Sequence, residues 1–302
     1  MRSHLSGLYQ QAGLYWMTMA LLVGAVLAGC QAPRQTLQQL ANEQGRTLEI
    51  LSVQPYPLAL VSPRKIPTGS RLRVYLEGDG HAWITSKQPS LDPSPRNLLV
   101  TRLATGDPYP SVYLARPCQF VSTLVCKPEL WTNRRFSQEI VDSLGQALNQ
   151  LKTRYRNQEF ELVGYSGGAA LALLLAAQRD DVSFVQTIAG NLSPRLWAQM
   201  KGLSPLSGSL DPLDYRTRLQ HLPQRHMIGE QDRVVPARLA ELYQQARGGP
   251  ACSQIVRITD ANHDSGWETS AILWTLSQPE PACPSPTHNP KPSSSVIGAT
   301  RP

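Results

Sequence analysis

Phe160-Glu161-Leu162-Val163-Gly164-Tyr165-Ser166-Gly167-Gly168 decides how the rest of the chain is read. Residues 160–164 form a short, mostly apolar run of the kind that makes a strand covered on both faces. From Gly168 to Gln178 the chain is rich in Ala and Leu, as a buried helix is. Between the two lies Gly-Tyr-Ser-Gly-Gly, a G-x-S-x-G pattern. A strand that feeds a helix this abruptly must reverse sharply. Glycines on both sides of the serine remove the Cβ atoms that would collide in the turn. The Ser166 hydroxyl then stands above the strand end, and the N–H of Gly167 faces the same space. A merely structural glycine-rich turn is the alternative reading.

Working outward, strand-like and helix-like stretches alternate. Residues 48–53 and 58–61 read as two leading strands, 71–76 as a strand ending in Glu77-Gly78-Asp79-Gly80, 97–104 as a helix and 111–114 as a strand. Residues 137–155 place Ile140, Val141, Leu144, Ala147, Leu148 and Leu151 at helical spacing. After the quoted stretch come a strand at 183–189, a strand at 226–229 and a helix near 237–246. A strand at 254–259 and a helix at 266–276 complete the series. Such alternation predicts a mostly parallel central sheet with helices on both faces. This order, over about residues 48–278, resembles the plan of the α/β-hydrolase superfamily.

That resemblance implies a serine nucleophile followed in the chain by an acid and then a histidine. Ser166 is the nucleophile in this reading. His263, in Asp260-Ala261-Asn262-His263-Asp264, lies just past the last strand and is the expected base. Gly229-Glu230-Gln231-Asp232-Arg233-Val234-Val235-Pro236 is similar to the family's G-x-x-D-x-x-V-P loop and makes Asp232 the expected acid, with Glu230 and Asp260 in reserve. His221 and His226 precede a strand, at its wrong end, and His81 follows the third strand. The oxyanion hole is expected from the N–H groups of Gly167 and Asp79, the latter in Glu77-Gly78-Asp79-Gly80-His81. Here the sequence departs from the commoner pattern, with Glu77 for His and an acid at Asp79. A carboxylate beside a developing oxyanion is unfavourable unless it points away or is paired. The stretch 191–224, with Trp197, Met200, Pro205, Leu206 and Leu210, is longer than a crossover needs and is expected to supply a small cap, with plain helix packing as the alternative. Its segment 205–212 resembles one found in uncharacterised bacterial α/β-hydrolase proteins.

The ends carry other signals. Arg2 followed by the apolar run Trp16–Gly29 reads as a signal peptide over 1–29, too short to span a bilayer, with an uncleaved anchor as the alternative. Leu27-Ala28-Gly29-Cys30 resembles the lipobox of bacterial lipoproteins, which implies a palmitate-type acyl anchor on Cys30. Gln31, by that family's sorting rule, points to the outer membrane, facing the periplasm. Residues 30–47 are polar and read as a tether with some helix, and 279–302, rich in Pro and Ser, as a mostly disordered tail.

Four cysteines remain, Cys118, Cys126, Cys252 and Cys283, an even number that suits two disulfides in an oxidising compartment. In a parallel sheet Cys252, before the last strand, and Cys283, after the last helix, both fall at the bottom. Cys118 and Cys126 brace a loop at the top. No thiol spacing suggests a metal site. The net charge of +7 is spread along the chain without a basic-aromatic block, which argues against a nucleic-acid partner.

Together these features predict a serine hydrolase that cleaves an ester, thioester or amide of a small-molecule acyl substrate through an acyl-enzyme, without metal or organic cofactor. A lipid-tethered scaffold without turnover and an acyltransferase are the competing readings. Oligomeric state is not legible in the sequence.

Overall fold

The computed structural model describes residues 32–69 and 71–283. The signal segment, Cys30 and residues 284–302 lie outside the described residues. The described residues begin with helix α1 (Pro33–Glu43), then strands β1 (Arg46–Leu51), β2 (Leu58–Pro63) and β3 (Leu72–Leu76). A small hairpin, β4 (Trp83–Thr85) and β5 (Gln88–Pro89), precedes α2 (Leu99–Gly106) and β6 (Ser111–Leu114). Then follow α3 (Gln138–Tyr155), β7 (Phe160–Tyr165), α4 (Gly167–Gln178), β8 (Val182–Ile188), α5 (Pro194–Met200) and α6 (Arg216–Leu219). The series ends with β9 (Gln224–Gly229), α7 (Arg238–Arg247), β10 (Ser253–Ile258) and α8 (Thr269–Leu276).

Eight strands form one sheet in the order β1-β2-β6-β3-β7-β8-β9-β10. Pairing is antiparallel at β1–β2 and β2–β6 and parallel from β6 through β10. The mostly parallel sheet expected from the sequence is therefore what the chain forms. Period-two alternation splits the strand side chains between two cores. Leu58, Leu60, Leu72, Val74, Val112 and Leu114 join the apolar sides of α3, α4 and α7 on one face. Ala59, Val61, Tyr75, Tyr113 and Val163 meet α1, α2 and α8 on the other. Helix α4 has no polar side, and Gly167 to Ala176 are all buried, which is why it packs directly on the sheet beneath the strand it follows.

The departures from expectation have physical causes. The helix allowed for in the polar lead-in runs over residues 33–43 and is docked on the sheet, since Leu37 and Ala41, one turn apart, are fully buried. Strand β9 starts at Gln224, two residues earlier than hydropathy indicates, because buried polar side chains extend it. Gln224 donates to the Leu219 carbonyl at 2.7 Å, and Arg225 donates to Gln186 at 2.9 Å and the Thr275 carbonyl at 3.1 Å. Helix α8 starts only at Thr269, since Gly266 has φ +82° and sits against the Asp260 carbonyl. The tail does not loosen at residue 279. Arg225 holds the Pro279 carbonyl, Arg71 pairs with Glu280, and Cys283 bonds Cys252.

Candidate active site

The chain reverses at Ser166, whose φ of 49° and ψ of −121° lie outside the regions that L-residues ordinarily occupy. Three backbone bonds hold it there. Its N–H donates to the Ile188 carbonyl at 3.0 Å, and its own carbonyl accepts from Ala169 at 3.1 Å and Asn191 at 2.9 Å. The glycines are demanded by close approach. A Cβ on Gly164 would stand 2.5 Å from the Ala169 Cα, and one on Gly168 would stand 2.4 Å from the Leu76 carbonyl oxygen. Strain of this kind persists only where the surroundings over-determine it, and it is concentrated at functional sites.

Two loops from neighbouring strand ends meet the serine. Ser166 Oγ lies 2.9 Å from His263 Nε2, and His263 Nδ1 lies 2.8 Å from Asp232 Oδ2. Asp232 is fixed from behind, because its Oδ1 accepts the N–H groups of Val234 and Val235, both at 2.8 Å. The His263 loop is held by two aromatic donors. Tyr165 donates its hydroxyl to the His263 carbonyl at 2.8 Å, and Trp267 Nε1 donates to the Asn262 carbonyl at 2.9 Å. Tyr165 fills the variable position of G-x-S-x-G, so no pattern could mark it. The reserve acids fall elsewhere: Glu230 faces Arg257 at 3.9 Å, and Asp260 is exposed. Of the other histidines, His226 is buried beside Thr187, where burial first and the Arg247 charge second push its pKa down to about 3. His221 bonds Gln220 on the surface, and His81 lines the cleft.

The loop after β3 lies directly against the serine, so that a Cβ on Gly78 would come 3.1 Å from that of Ser166. Asp79 is indeed paired. Arg116 Nη1 bonds its Oδ1, and Arg135 Nε lies 3.3 Å from its Oδ2. Burial works to raise the Asp79 pKa, but the Arg135 and Arg116 charges outweigh it and hold the carboxyl below its ordinary value. Its Oδ1 occupies the space a Cβ on Gly167 would need, 2.1 Å away, which is a second reason for glycine there. Among the described residues, neither the Gly167 nor the Asp79 N–H donates to a protein acceptor. Glu77 is turned away from the serine, accepting from the Gly78 N–H at 2.8 Å and the Tyr113 hydroxyl at 2.9 Å. Burial pushes its pKa up to about 7 against those two donors and Arg116. Neither Arg116 nor Arg135 is marked by a motif; the one available signal is an arginine two residues past an apolar strand, at residue 116.

These residues open on a cleft of about 460 Å³. Trp83, Arg96, Arg135, Tyr165 and Trp197 shape it around Ser166 and His263. Of the stretch expected to cap the site, Trp197 reaches the cleft, whereas Pro205, Leu206 and Leu210 line a separate hollow of about 260 Å³. The cysteines pair as Cys118–Cys126 and Cys252–Cys283, with Cα atoms 5.7 Å and 4.5 Å apart. No group of three or more His, Cys, Asp or Glu side chains that could hold a metal occurs among the described residues. A serine hydroxyl in contact with an imidazole that is itself oriented by a carboxylate can lose its proton as it attacks an electrophile.

Among solved structures, the chain is similar to the Pyrococcus furiosus esterase Pf2001, with 12% identity and a TM-score of 0.54 over 82% of this chain and 92% of that one. It is similar to an α/β serine hydrolase homologue from Coxiella burnetii, with 14% identity and a TM-score of 0.51 over 76% and 95%. The esterase domain of a Rhodothermus marinus protein matches with 17% identity and a TM-score of 0.50 over 76% and 96%. No family model matches the chain, and no curated protein does. Identities this low speak for architecture, and so does the strand order: this chain has the α/β-hydrolase fold.

Proposed function

We propose that the chain is a serine hydrolase that cleaves a carboxylic ester through an acyl-enzyme on Ser166. The observation that carries this reading is the continuous contact from Ser166 Oγ to His263 Nε2, 2.9 Å, and from His263 Nδ1 to Asp232 Oδ2, 2.8 Å. In the first half-reaction His263 Nε2 accepts the Ser166 proton as Oγ bonds to the ester carbonyl carbon. The charge that develops on the carbonyl oxygen is met by the N–H groups of Gly167 and Asp79, each contributing on the order of 3 kcal/mol in the transition state. The tetrahedral species collapses, its bond to the alcohol oxygen breaks, and the alcohol leaves with the proton from His263. Water then repeats the sequence on the acyl-enzyme and releases the acid. Asp232 keeps the imidazole in the tautomer with hydrogen on Nδ1.

A fluorophosphonate probe tests this directly. The wild-type protein is expected to take up one equivalent and Ser166→Ala none; a folded wild-type protein that takes up none would be a scaffold rather than a hydrolase. Product analysis with an added alcohol separates hydrolysis from acyl transfer. The tether belongs to the same proposal: Cys30, with its lipobox-like surroundings, carries the acyl anchor that holds the enzyme on the bacterial outer membrane. Incorporation of labelled palmitate that is lost in Cys30→Ala is the expected result.

A further inference from the structure

Arg135 brings to the cleft a guanidinium that the fold supplies with few hydrogen-bond acceptors. The residue is only 5% exposed, yet it lines the cleft that holds Ser166. Its guanidinium lies 5.2 Å from the Trp197 ring and 5.5 Å from that of Phe136, contacts that supply no hydrogen-bond acceptor. The carboxylate beside it is Asp79, at 3.3 Å, and Asp79 is already engaged by Arg116. Two guanidinium groups therefore share one carboxylate. The other acids around the cleft hydrogen-bond groups other than Arg135: Glu77 the Tyr113 hydroxyl, Asp232 His263, and Asp264 the Tyr165 hydroxyl. Arg135 Nε faces Asp79 without forming a well-directed hydrogen bond, and neither Nη group of Arg135 hydrogen-bonds a protein acceptor among the described residues. An arginine cannot shed its proton to escape this situation, and a buried cation short of acceptors is costly. A ligand carboxylate entering the cleft would supply the guanidinium with a matching pair of acceptors.

We propose that Arg135 binds a carboxylate carried by the substrate, so that the ester turned over at Ser166 is an acidic one. This rests on the serine-hydrolase reading above and narrows its substrate class. The plainer role for Arg135, fixing Asp79 and with it the oxyanion loop, predicts a loss that ignores substrate charge.

Two pairs of esters decide between them: 4-nitrophenyl butyrate against mono-4-nitrophenyl glutarate, and phenyl acetate against acetoxybenzoate. The wild-type enzyme is expected to prefer the charged member of at least one pair by about tenfold or more in kcat/KM, the scale of a charge-assisted contact. In Arg135→Gln that ratio should fall to about one, and Arg135→Lys should restore part of it. A ratio that survives in Arg135→Gln while both esters slow equally would overturn the proposal and leave Arg135 as a positioning residue. A wild-type enzyme that is labelled by the fluorophosphonate but prefers neither charged ester would overturn it as well, with the serine mechanism intact. Absence of both labelling and turnover would instead remove the mechanism on which the proposal stands.

Discussion

At the residue scale, the site works by keeping acids occupied. Asp79 would oppose an oxyanion were it not held by two arginines, and Glu77 faces a tyrosine hydroxyl rather than the serine. Asp232 accepts three hydrogen bonds, one of them from His263. Asp232→Asn would present an amide to Nδ1 and favour the wrong tautomer, so kcat should fall by about 10⁴-fold with the fold intact, as steady-state kinetics and circular dichroism together would show. Glu77 makes a prediction about stability. Its pKa is raised to about 7 from an ordinary 4.5, so within that window the folded protein holds a proton that the unfolded chain has released. Stability from this group is therefore greatest below the window and declines as pH rises through it, by roughly 3 kcal/mol in all. Denaturant titrations at about pH 5 and about pH 8 should show wild type losing more stability than Glu77→Gln by an amount of that order.

At the element scale, the junction of β7 and α4 is where sequence and structure agree most closely. The motif demanded a strand, a reversal and a buried helix, and each glycine beside Ser166 meets backbone or a fixed carboxylate that leaves no room for a Cβ. Gly164→Ala should therefore cost about 3 kcal/mol in denaturant unfolding and most of the activity, since Cα and carbonyl atoms must give way. Gly145, inside α3, provides the contrast. A Cβ there meets Leu175 Cδ2 only at 4.0 Å, so Gly145→Ala should stabilise the protein by about 0.5–1 kcal/mol in the same assay. Elements governed by apolar periodicity or by glycine were legible from the residues alone. Those stabilised by buried polar contacts were not. The start of β9 at Gln224 rests on hydrogen bonds from a strand segment that hydropathy reads as loop, and the docking of α1 on the sheet is hidden because just two of its residues, Leu37 and Ala41, are buried. The three side chains that meet at the cleft could be located by chain order and motif, but Tyr165, Arg116 and Arg135 act through contacts between distant segments that leave no local pattern.

At the scale of the whole molecule, the strand ends do the positioning and the far end of the sheet does the fastening. The Cys252–Cys283 bond joins residues 31 apart and ties the end of the described chain beneath β10, while the chemistry-bearing loops lie at the opposite strand ends. Replacing both cysteines by serine should lower unfolding stability by about 3.5 kcal/mol, from the loop entropy restored to the unfolded chain. The rate of fluorophosphonate uptake by the folded protein should hardly change. Catalysis of the proposed kind depends on the loops after β7, β9 and β10 converging on a single oxygen atom, Ser166 Oγ. Acid quench during turnover of a 4-nitrophenyl ester, followed by peptide mass spectrometry, tests that most directly. One acyl group is expected, on the peptide that contains Ser166. An acyl group on a different residue, or a Ser166→Ala protein that turns over the ester at the wild-type rate, would contradict it.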